Sequence, residues 1–147
     1  MDAEAVQPEK HLLLYGLSRA GRGFAYSVLE RIRAFQPDLH LTAVHPEMPE
    51  LPAAGLGVIA SARDAVPPAT RAMLVLNAED TREALNDVAA AGIEHVWLVM
   101  HADTRENLRF AREQGMRVVS GCPVMNIPHN ADAPNVRPDI ARYFGRE

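Results

Sequence analysis

Residues 11–35 have the sequence HLLLYGLSRAGRGFAYSVLERIRAF, in which an apolar run, a glycine-rich loop and an amphipathic helix follow one another. The run HLLLY is short, continuous and apolar and stops at Gly16, which is typical of a strand buried on both faces. Three glycines fall within residues 16–23, which predicts a loop. The helix that follows places five apolar residues on one face: Phe24, Val28, Leu29, Ile32 and Phe35. This order of elements is the opening unit of a parallel α/β sheet.

The rest of the chain repeats this alternation of strand and helix. Strands are predicted at residues 39–44, 73–76, 95–100 and 116–119, with a short extended piece at 56–60 and a helical turn at 61–66. Helices are predicted at 81–91, capped by Asp80, and at 104–114, capped by Asp103. We therefore predict one Rossmann-like domain, a doubly wound parallel sheet of about five strands.

The predicted domain occupies residues 10–128. It follows a flexible N-terminus at 1–9 and precedes an irregular C-terminal tail at 129–147 that contains a short helix. Residues 120–138 carry four prolines and three asparagines, which favour irregular structure.

Composition excludes several classes of protein. The 147 residues are 48% hydrophobic and 23% charged, as expected for one globular domain. With 15 Lys and Arg against 19 Asp and Glu, the net charge of −4 argues against a nucleic-acid partner. No apolar run approaches the ~20 residues that cross a bilayer, and the N-terminus has no apolar signal segment, so we expect a cytoplasmic protein without a membrane partner. The single cysteine, Cys122, excludes an intramolecular disulfide.

A ligand is expected where the strand order of the sheet reverses, beyond the carboxyl ends of the strands. With the common order 3-2-1-4-5, this point lies between the first strand and the strand at 73–76. The glycine-rich loop is there beside Asn77 and Ala78. Free amides at a helix start bind anions, and Ser18 with the nearby arginines adds donors and positive charge, so the loop predicts a phosphate site.

The loop also limits which phosphate compound fits. A P-loop needs Lys followed by Ser or Thr after its last glycine, whereas Gly21 is followed by Arg22, so an NTPase is not expected. The dinucleotide motif G-x-G-x-x-G is broken by Ser18, and the second strand ends in His45 and Pro46 instead of the acid that holds the ribose of NAD. An imidazole suits a phosphorylated ribose, which favours NADP or coenzyme A over NAD.

Five segments together resemble a known family. They are GLSR followed by FAYSV, then LTAVHP, SARDAVP, GIEHVWLVM and AREQGMRVVSGCP. Over about residues 10–128 the chain resembles the small stand-alone CoA-binding domain proteins, which are similar to the N-terminal CoA-binding domain of the succinyl-CoA synthetase α-subunit. The resemblance implies that the loop after strand 1 holds the CoA phosphates, that the residues after strand 2 lie near the adenosine, and that the loop after the 73–76 strand lies along the nucleotide or pantetheine. The implied binding residues are Gly16, Ser18, Arg19, Ala20, Gly21, Arg22, His45, Pro46, Asn77 and Ala78.

No catalytic residue and no metal site are predicted. Cys122 has no identifiable base beside it, and a lone cysteine at such a place is more often a small buried side chain than a nucleophile. His101 suits a hydrogen bond to the Asp103 cap as well as it suits acid–base chemistry. The spacing of His45, His101 and His129 does not indicate a metal site.

The resulting hypothesis is a small protein that binds coenzyme A, with no complete catalytic apparatus of its own. NADP is the alternative cofactor. The alternative functions are an NADP-linked oxidoreductase, a partner-dependent acyl-CoA ligase subunit, or an interaction module with a decayed nucleotide site. The sequence is compatible with a homodimer or with a ligase partner.

Overall fold

The computed structural model describes residues 10–146, which contain one sheet of six parallel strands. The predicted flexible segment at 1–9 lies outside the described residues. The strands are β1 (His11–Tyr15), β2 (His40–Val44), β3 (Gly57–Ile59), β4 (Arg71–Leu74), β5 (His95–Val99) and β6 (Arg117–Gly121). They lie in the order β3-β2-β1-β4-β5-β6, which confirms the predicted Rossmann-like fold. The sixth strand is β3, the short extended piece, which pairs with β2 at the edge of the sheet.

Five helices connect and flank the strands: α1 (Phe24–Phe35), α2 (Ala78–Ala90), α3 (Arg105–Glu113), α4 (Pro123–Asn126) and α5 (Pro138–Tyr143). A 3-10 turn spans Ala62–Asp64. The short α4 lies within the stretch expected to be irregular. No helix within residues 10–146 has the length and apolar character that a membrane span requires.

The predicted caps of α2 and α3 are wrong by a few residues. The backbone amide of Asp80 donates to the side chain of Asn77, so Asn77 is the cap and α2 begins at Ala78. The amide of Asn107 donates to Thr104 Oγ1, so Thr104, and not Asp103, caps α3. Asn, Asp and Thr are all good caps, and the sequence alone does not show which of two neighbouring candidates the backbone uses.

One face of the sheet is covered by α1, α4 and the C-terminal segment. Trp97 of β5 is fully buried there, and its ring makes an edge contact with Tyr143, with centroids 5.4 Å apart. The Tyr143 hydroxyl donates to the Ala72 carbonyl at 2.6 Å, and Phe144 packs against Phe35 of α1. Residues beyond 128 therefore complete this side of the core.

The predicted apolar face of α1 is wrong at its first residue. Phe24 is 39% exposed, whereas Tyr26 is buried in its place. Phe24 is the first residue of α1, one turn before Val28, where the buried face of the helix has begun.

The opposite face is covered by α2, α3 and the 3-10 turn. Asp87 of α2 ties three parts of this face together. Its carboxylate accepts hydrogen bonds from the Tyr15 hydroxyl at 2.8 Å, from Ser61 Oγ at 2.5 Å and from the Ala62 amide at 2.8 Å. Burial, and then the Asp87 carboxylate, raise the pKa of Tyr15 far above its ordinary value, so its phenol stays a donor. Tyr15 is the last residue of β1, so this network fixes the position from which the glycine-rich loop leaves.

Candidate functional site

The carboxyl ends of β1, β2 and β4 lie level with one another. Tyr15 is the register partner of both Val44 and Leu74, so the chain leaves these three strands at adjacent points. The strand order reverses between β1 and β4, which is where a crevice is expected in such a sheet. The structure thus brings the glycine-rich loop, the residues after β2 and the residues after β4 to one edge, which we call the carboxyl edge.

Gly16 is required by the packing of β1 against β4. Its φ is +114°, and a Cβ at this position would lie 2.2 Å from the carbonyl oxygen of Val75. The Val75 amide also donates to the Tyr15 carbonyl at 3.1 Å, so the segments that follow β1 and β4 run side by side past the ends of these strands. Gly16 therefore shapes the crevice, since only a residue without a side chain permits this approach.

The next residues form a turn that Tyr26 supports. The Gly21 amide donates to the Ser18 carbonyl at 3.3 Å, and the Tyr26 hydroxyl donates to the same oxygen at 2.7 Å. Four side chains of the loop are exposed: Ser18, Arg19, Ala20 and Arg22. The sequence analysis did not assign this role to Tyr26. The available signal was its position, because an aromatic residue in the first turn of α1 lies close to the loop that precedes the helix.

The start of α1 has the features of an anion site. Its N-cap is Gly23, with φ 117° and ψ −176°, a conformation that essentially only glycine adopts. No side chain of the described residues caps this helix, and its first turn holds no acidic residue. A Cβ on Gly23 would have no atom of residues 10–146 within 4 Å, so the space in front of the amides is open. Free amides and the positive end of a 12-residue helix suit a phosphate group there.

The start of α2 has the opposite character. Asn77 Oδ1 accepts the Asp80 amide at 2.7 Å, and Asn77 Nδ2 donates to Asp80 Oδ2 at 3.1 Å. Glu79 and Asp80 place two carboxylates in the first turn. The side chain of Asn77 therefore caps one amide of α2, and the acidic side chains of the first turn repel anions. A phosphate is thus favoured at α1 and an uncharged part of a ligand at Asn77 and Ala78.

Asn107 of α3 supports the loop after β4. Its side-chain amide donates to the Ala78 carbonyl at 3.0 Å and to the Ala102 carbonyl at 2.9 Å, and the residue is 3% exposed. It thereby joins the segments that follow β4 and β5. Sequence reasoning missed this residue, because a polar side chain within a helix gives no sign of the carbonyls it will reach.

An exposed ion pair links the loop after β1 to the loop after β2. Arg19 Nη2 lies 3.3 Å from Glu47 Oε1, and the two side chains are 67% and 71% exposed. Such exposed pairs contribute about 1 kcal/mol or less, so a ligand phosphate can replace Glu47 as the partner of Arg19. Arg22 makes no hydrogen bond or ion pair with any residue in the described range and leaves its guanidinium available.

His45 follows β2 directly and is partly buried. Its Nδ1 accepts a hydrogen bond from the Glu47 amide at 3.1 Å, so in the neutral ring the proton is on Nε2. Pro46 beside it is exposed. The end of β2 therefore offers one N–H donor and one apolar surface.

Exposed apolar side chains surround this edge. Four large ones follow the strands or begin the helices there: Phe24, Met48, Met100 and Met125. Their exposures run from 39% for Phe24 to 84% for Met125. The carboxyl edge thus combines the exposed arginines of the glycine-rich loop with these four apolar side chains, which we call the apolar rim.

Among the residues that the structure describes, no base is hydrogen-bonded to the Cys122 thiol. The residue is partly buried at the start of α4, where its carbonyl accepts from the side chain of Asn126 at 2.8 Å. His101 and His129 are both exposed. Within residues 10–146, no three His, Cys, Asp or Glu side chains form a group that could hold a metal ion.

Comparison with known proteins agrees with this geometry. No curated protein matches the sequence significantly. Among solved structures, the chain is similar to a hypothetical protein from Pyrococcus horikoshii OT3, with a TM-score of 0.68 and 21% identity over 79% of this chain and 80% of that one. It is also similar to acetyl-coenzyme A synthetase 1 from Ca. Korarchaeum cryptofilum in complex with phosphate and ADP, with a TM-score of 0.63 and 17% identity over 74% of this chain and 25% of that one.

A third similar structure is an imine reductase variant from Myxococcus stipitatus in complex with NAD+, with a TM-score of 0.57 and 17% identity over 80% of this chain and 43% of that one. At these identities the likeness establishes the fold. A family model described as CoA binding domain matches residues 10–128, most of the chain. The chain therefore belongs to the CoA binding domain family.

Proposed function

We propose that this protein binds coenzyme A at the carboxyl edge, with the pyrophosphate at the start of α1. The observation that carries the proposal is the contrast between two helix starts in a member of this family. The start of α1 has a glycine cap, open space and Arg22, which pairs with no residue from 10 to 146, whereas α2 is capped by Asn77 and carries two acids. Of the two, only α1 suits the charge of the pyrophosphate.

The adenosine end of the ligand lies at His45 and Pro46 in this proposal. The Nε2–H of His45 donates to the phosphate on the ribose, and Pro46 gives the adenine an apolar contact. Arg19 exchanges Glu47 for a ligand phosphate, with two charge-assisted hydrogen bonds available from its guanidinium.

The pantetheine arm lies along Asn77 and Ala78. This arm is uncharged, so the carboxylates of Glu79 and Asp80 do not oppose it. Met100 follows β5, the neighbour of β4, and gives the far end of the arm an apolar contact. The apolar rim thus suits the part of the ligand that carries no phosphate.

The test is calorimetric titration of coenzyme A, NADP and NAD into the parent protein and two variants. Arg22→Gln removes the available cation, and we expect it to weaken coenzyme A binding about tenfold, as the loss of one charge-assisted hydrogen bond implies. Arg112→Gln removes the same charge at the last turn of α3, away from the site, and is expected to bind like the parent.

Each other result selects an alternative. Tighter binding of NADP than of coenzyme A would replace the proposal with an NADP-linked function, the second candidate, since His45 at the end of β2 suits a phosphorylated ribose in either ligand. An equal loss of coenzyme A affinity in Arg22→Gln and Arg112→Gln would contradict the assignment of the pyrophosphate to the start of α1. Absence of binding by all three ligands would favour an interaction module.

The likeness to acetyl-coenzyme A synthetase favours a related candidate, a binding subunit that works with a partner. This chain spans a quarter of that enzyme. If the isolated chain turned over an acyl substrate, and Cys122→Ser abolished that activity, the hypothesis that the chain lacks a complete catalytic apparatus would be wrong.

A further inference from the structure

Three basic side chains form one row at the amino ends of β4, β5 and β6. Arg71 is the register partner of His95, and His95 is the register partner of Arg117. Register partners in parallel strands point to the same face, and His95 shares its face with Trp97, two residues further along β5. The row therefore lies on the face that α5 covers.

A cavity of about 270 Å³ lies between this row and α5. Its walls are His95 and Arg117 from the sheet, Asp139, Arg142 and Tyr143 from the α5 side, and two valines of β6. The cavity lies at the opposite edge of the sheet from the glycine-rich loop. A strand of five residues separates the two edges, about 15 Å.

The balance of charge in this cavity is positive. Asp139 is the one carboxylate among the described residues that line it. Its two oxygens already accept hydrogen bonds from Arg137, from Nε at 3.0 Å and from Nη2 at 2.7 Å. Arg117 and Arg142 have no ion pair with any residue from 10 to 146. Arg71 is 5% exposed and adds a buried positive charge behind them.

The surroundings of His95 support this assignment. Burial, and then the guanidinium groups of Arg71 and Arg117, lower the pKa of His95. Arg142 acts in the same direction, and only the carboxylate of Glu94 opposes it. The imidazole thus experiences a positive field that an anion would relieve.

We propose that this cavity binds a small anion, a phosphate or a short carboxylate, independently of the coenzyme. Guanidinium groups bind both kinds of anion through paired hydrogen bonds. The cavity is smaller than the ~300–1,000 Å³ of pockets for drug-sized ligands, which favours a small ion over a nucleotide. Its position behind α5 makes the C-terminal segment part of the site.

The test follows the imidazole signals of His95 and the amide signals of residues 117–119 by NMR during titration with inorganic phosphate and, separately, with malonate. We expect saturable shifts in the parent with at least one of the two anions, and the anion that binds more tightly identifies the class. The double variant Arg117→Gln, Arg142→Gln is expected to lose at least about tenfold in affinity. Arg71 stays unchanged, because its guanidinium donates to the Tyr143 carbonyl and holds α5.

Two controls separate this site from the carboxyl edge. Arg112→Gln removes one positive charge outside the cavity and is expected to bind the anion like the parent. Arg22→Gln, the variant of the coenzyme site, is expected to keep the His95 shifts, so failure of one site leaves the other intact. Equal loss in Arg112→Gln and in the double variant, or shifts that do not saturate below about 10 mM of either anion, overturns the proposal.

Discussion

The carbonyl oxygen of Val75 occupies the place where residue 16 would carry a Cβ, at 2.2 Å from the ideal position of that atom. The segments that follow β1 and β4 run side by side here, and a side chain at residue 16 would prevent this approach. The glycine that opens the glycine-rich loop thus permits the close approach of the two halves of the sheet.

Gly16→Ala is therefore expected to lower the free energy of unfolding by more than a strained φ alone costs, about 1–3 kcal/mol. Gly115→Ala is the matched control, since Gly115 also has a positive φ, +83°, but no atom of the described chain within 4 Å of a Cβ. Urea unfolding measures both. Equal losses in the two variants would contradict the close approach at Val75.

Gly23→Ala tests the phosphate site at α1. The Cβ enters the open space in front of the helix start, so we expect coenzyme A affinity to fall at least about tenfold, with about 1–3 kcal/mol lost from stability. Gly92→Ala is the matched control. Gly92 follows α2 at the other edge of the sheet, has a φ of +77°, and has no atom of the described chain within 4 Å of a Cβ. This variant is expected to bind coenzyme A normally in the same calorimetric titration.

Asn77→Ala separates a cap from a ligand contact. Both polar atoms of the Asn77 side chain are engaged by Asp80, so the variant is expected to lose about 1 kcal/mol of stability. Its affinity for coenzyme A should stay within about threefold of the parent's. Thr104→Ala removes the cap of α3 and provides the comparison. A large loss of affinity with unchanged stability would show that the Asn77 side chain hydrogen-bonds the ligand instead of capping α2.

His45→Asp tests the choice of ligand. A carboxylate at the end of β2 accepts hydrogen bonds from a ribose diol and repels a ribose phosphate. We expect the variant to shift preference away from coenzyme A and towards NAD, measured as the ratio of the two dissociation constants. His129→Asp introduces the same charge at an exposed position in the tail and should leave the ratio unchanged.

The pH dependence of stability follows from His11. Its Nδ1–H donates to the Pro67 carbonyl at 2.7 Å, so Nε2 accepts from Thr42 Oγ1 at 2.8 Å, and this arrangement needs a neutral ring. Burial first, with a smaller contribution from His40, lowers the pKa of His11 below its ordinary value of 6.5. Burial also lowers the pKa of His95.

Because the unfolded chain binds protons to these groups more readily, the free energy of unfolding should fall as the pH drops below about 6.5. Each group contributes at most about 1.4 kcal/mol per pH unit. Urea unfolding at several pH values between 5 and 7 measures the slope. His95→Gln is expected to reduce it, whereas His129→Gln, at an exposed site, is not.

The strand, loop and helix at residues 11–35 were predictable because each is encoded locally, by an apolar run, three glycines and a helical repeat. The meeting of the glycine-rich loop with the residues after β2 and β4 was predictable as well, since parallel strands bring their carboxyl ends to one edge. The cap at Asn77 was not, because Asp80 satisfies the same local rule three residues later.

Contacts between distant residues left no local signal. Tyr143 reaches the Ala72 carbonyl across 71 residues, and nothing near either residue indicates the other. The row of Arg71, His95 and Arg117 depends on the register between strands, which their separate sequences do not specify.

Trp97 is the chain's single tryptophan, and its fully buried ring contacts Tyr143 at the end of α5. Its indole N–H donates to the Gly121 carbonyl at 3.1 Å, at the end of β6. The intrinsic fluorescence of the protein therefore comes from a point where the C-terminal helix meets the sheet. Release of α5 would let water reach the indole and shift its emission to longer wavelength, so an unlabelled sample carries its own optical reporter of whether its last helix is in place.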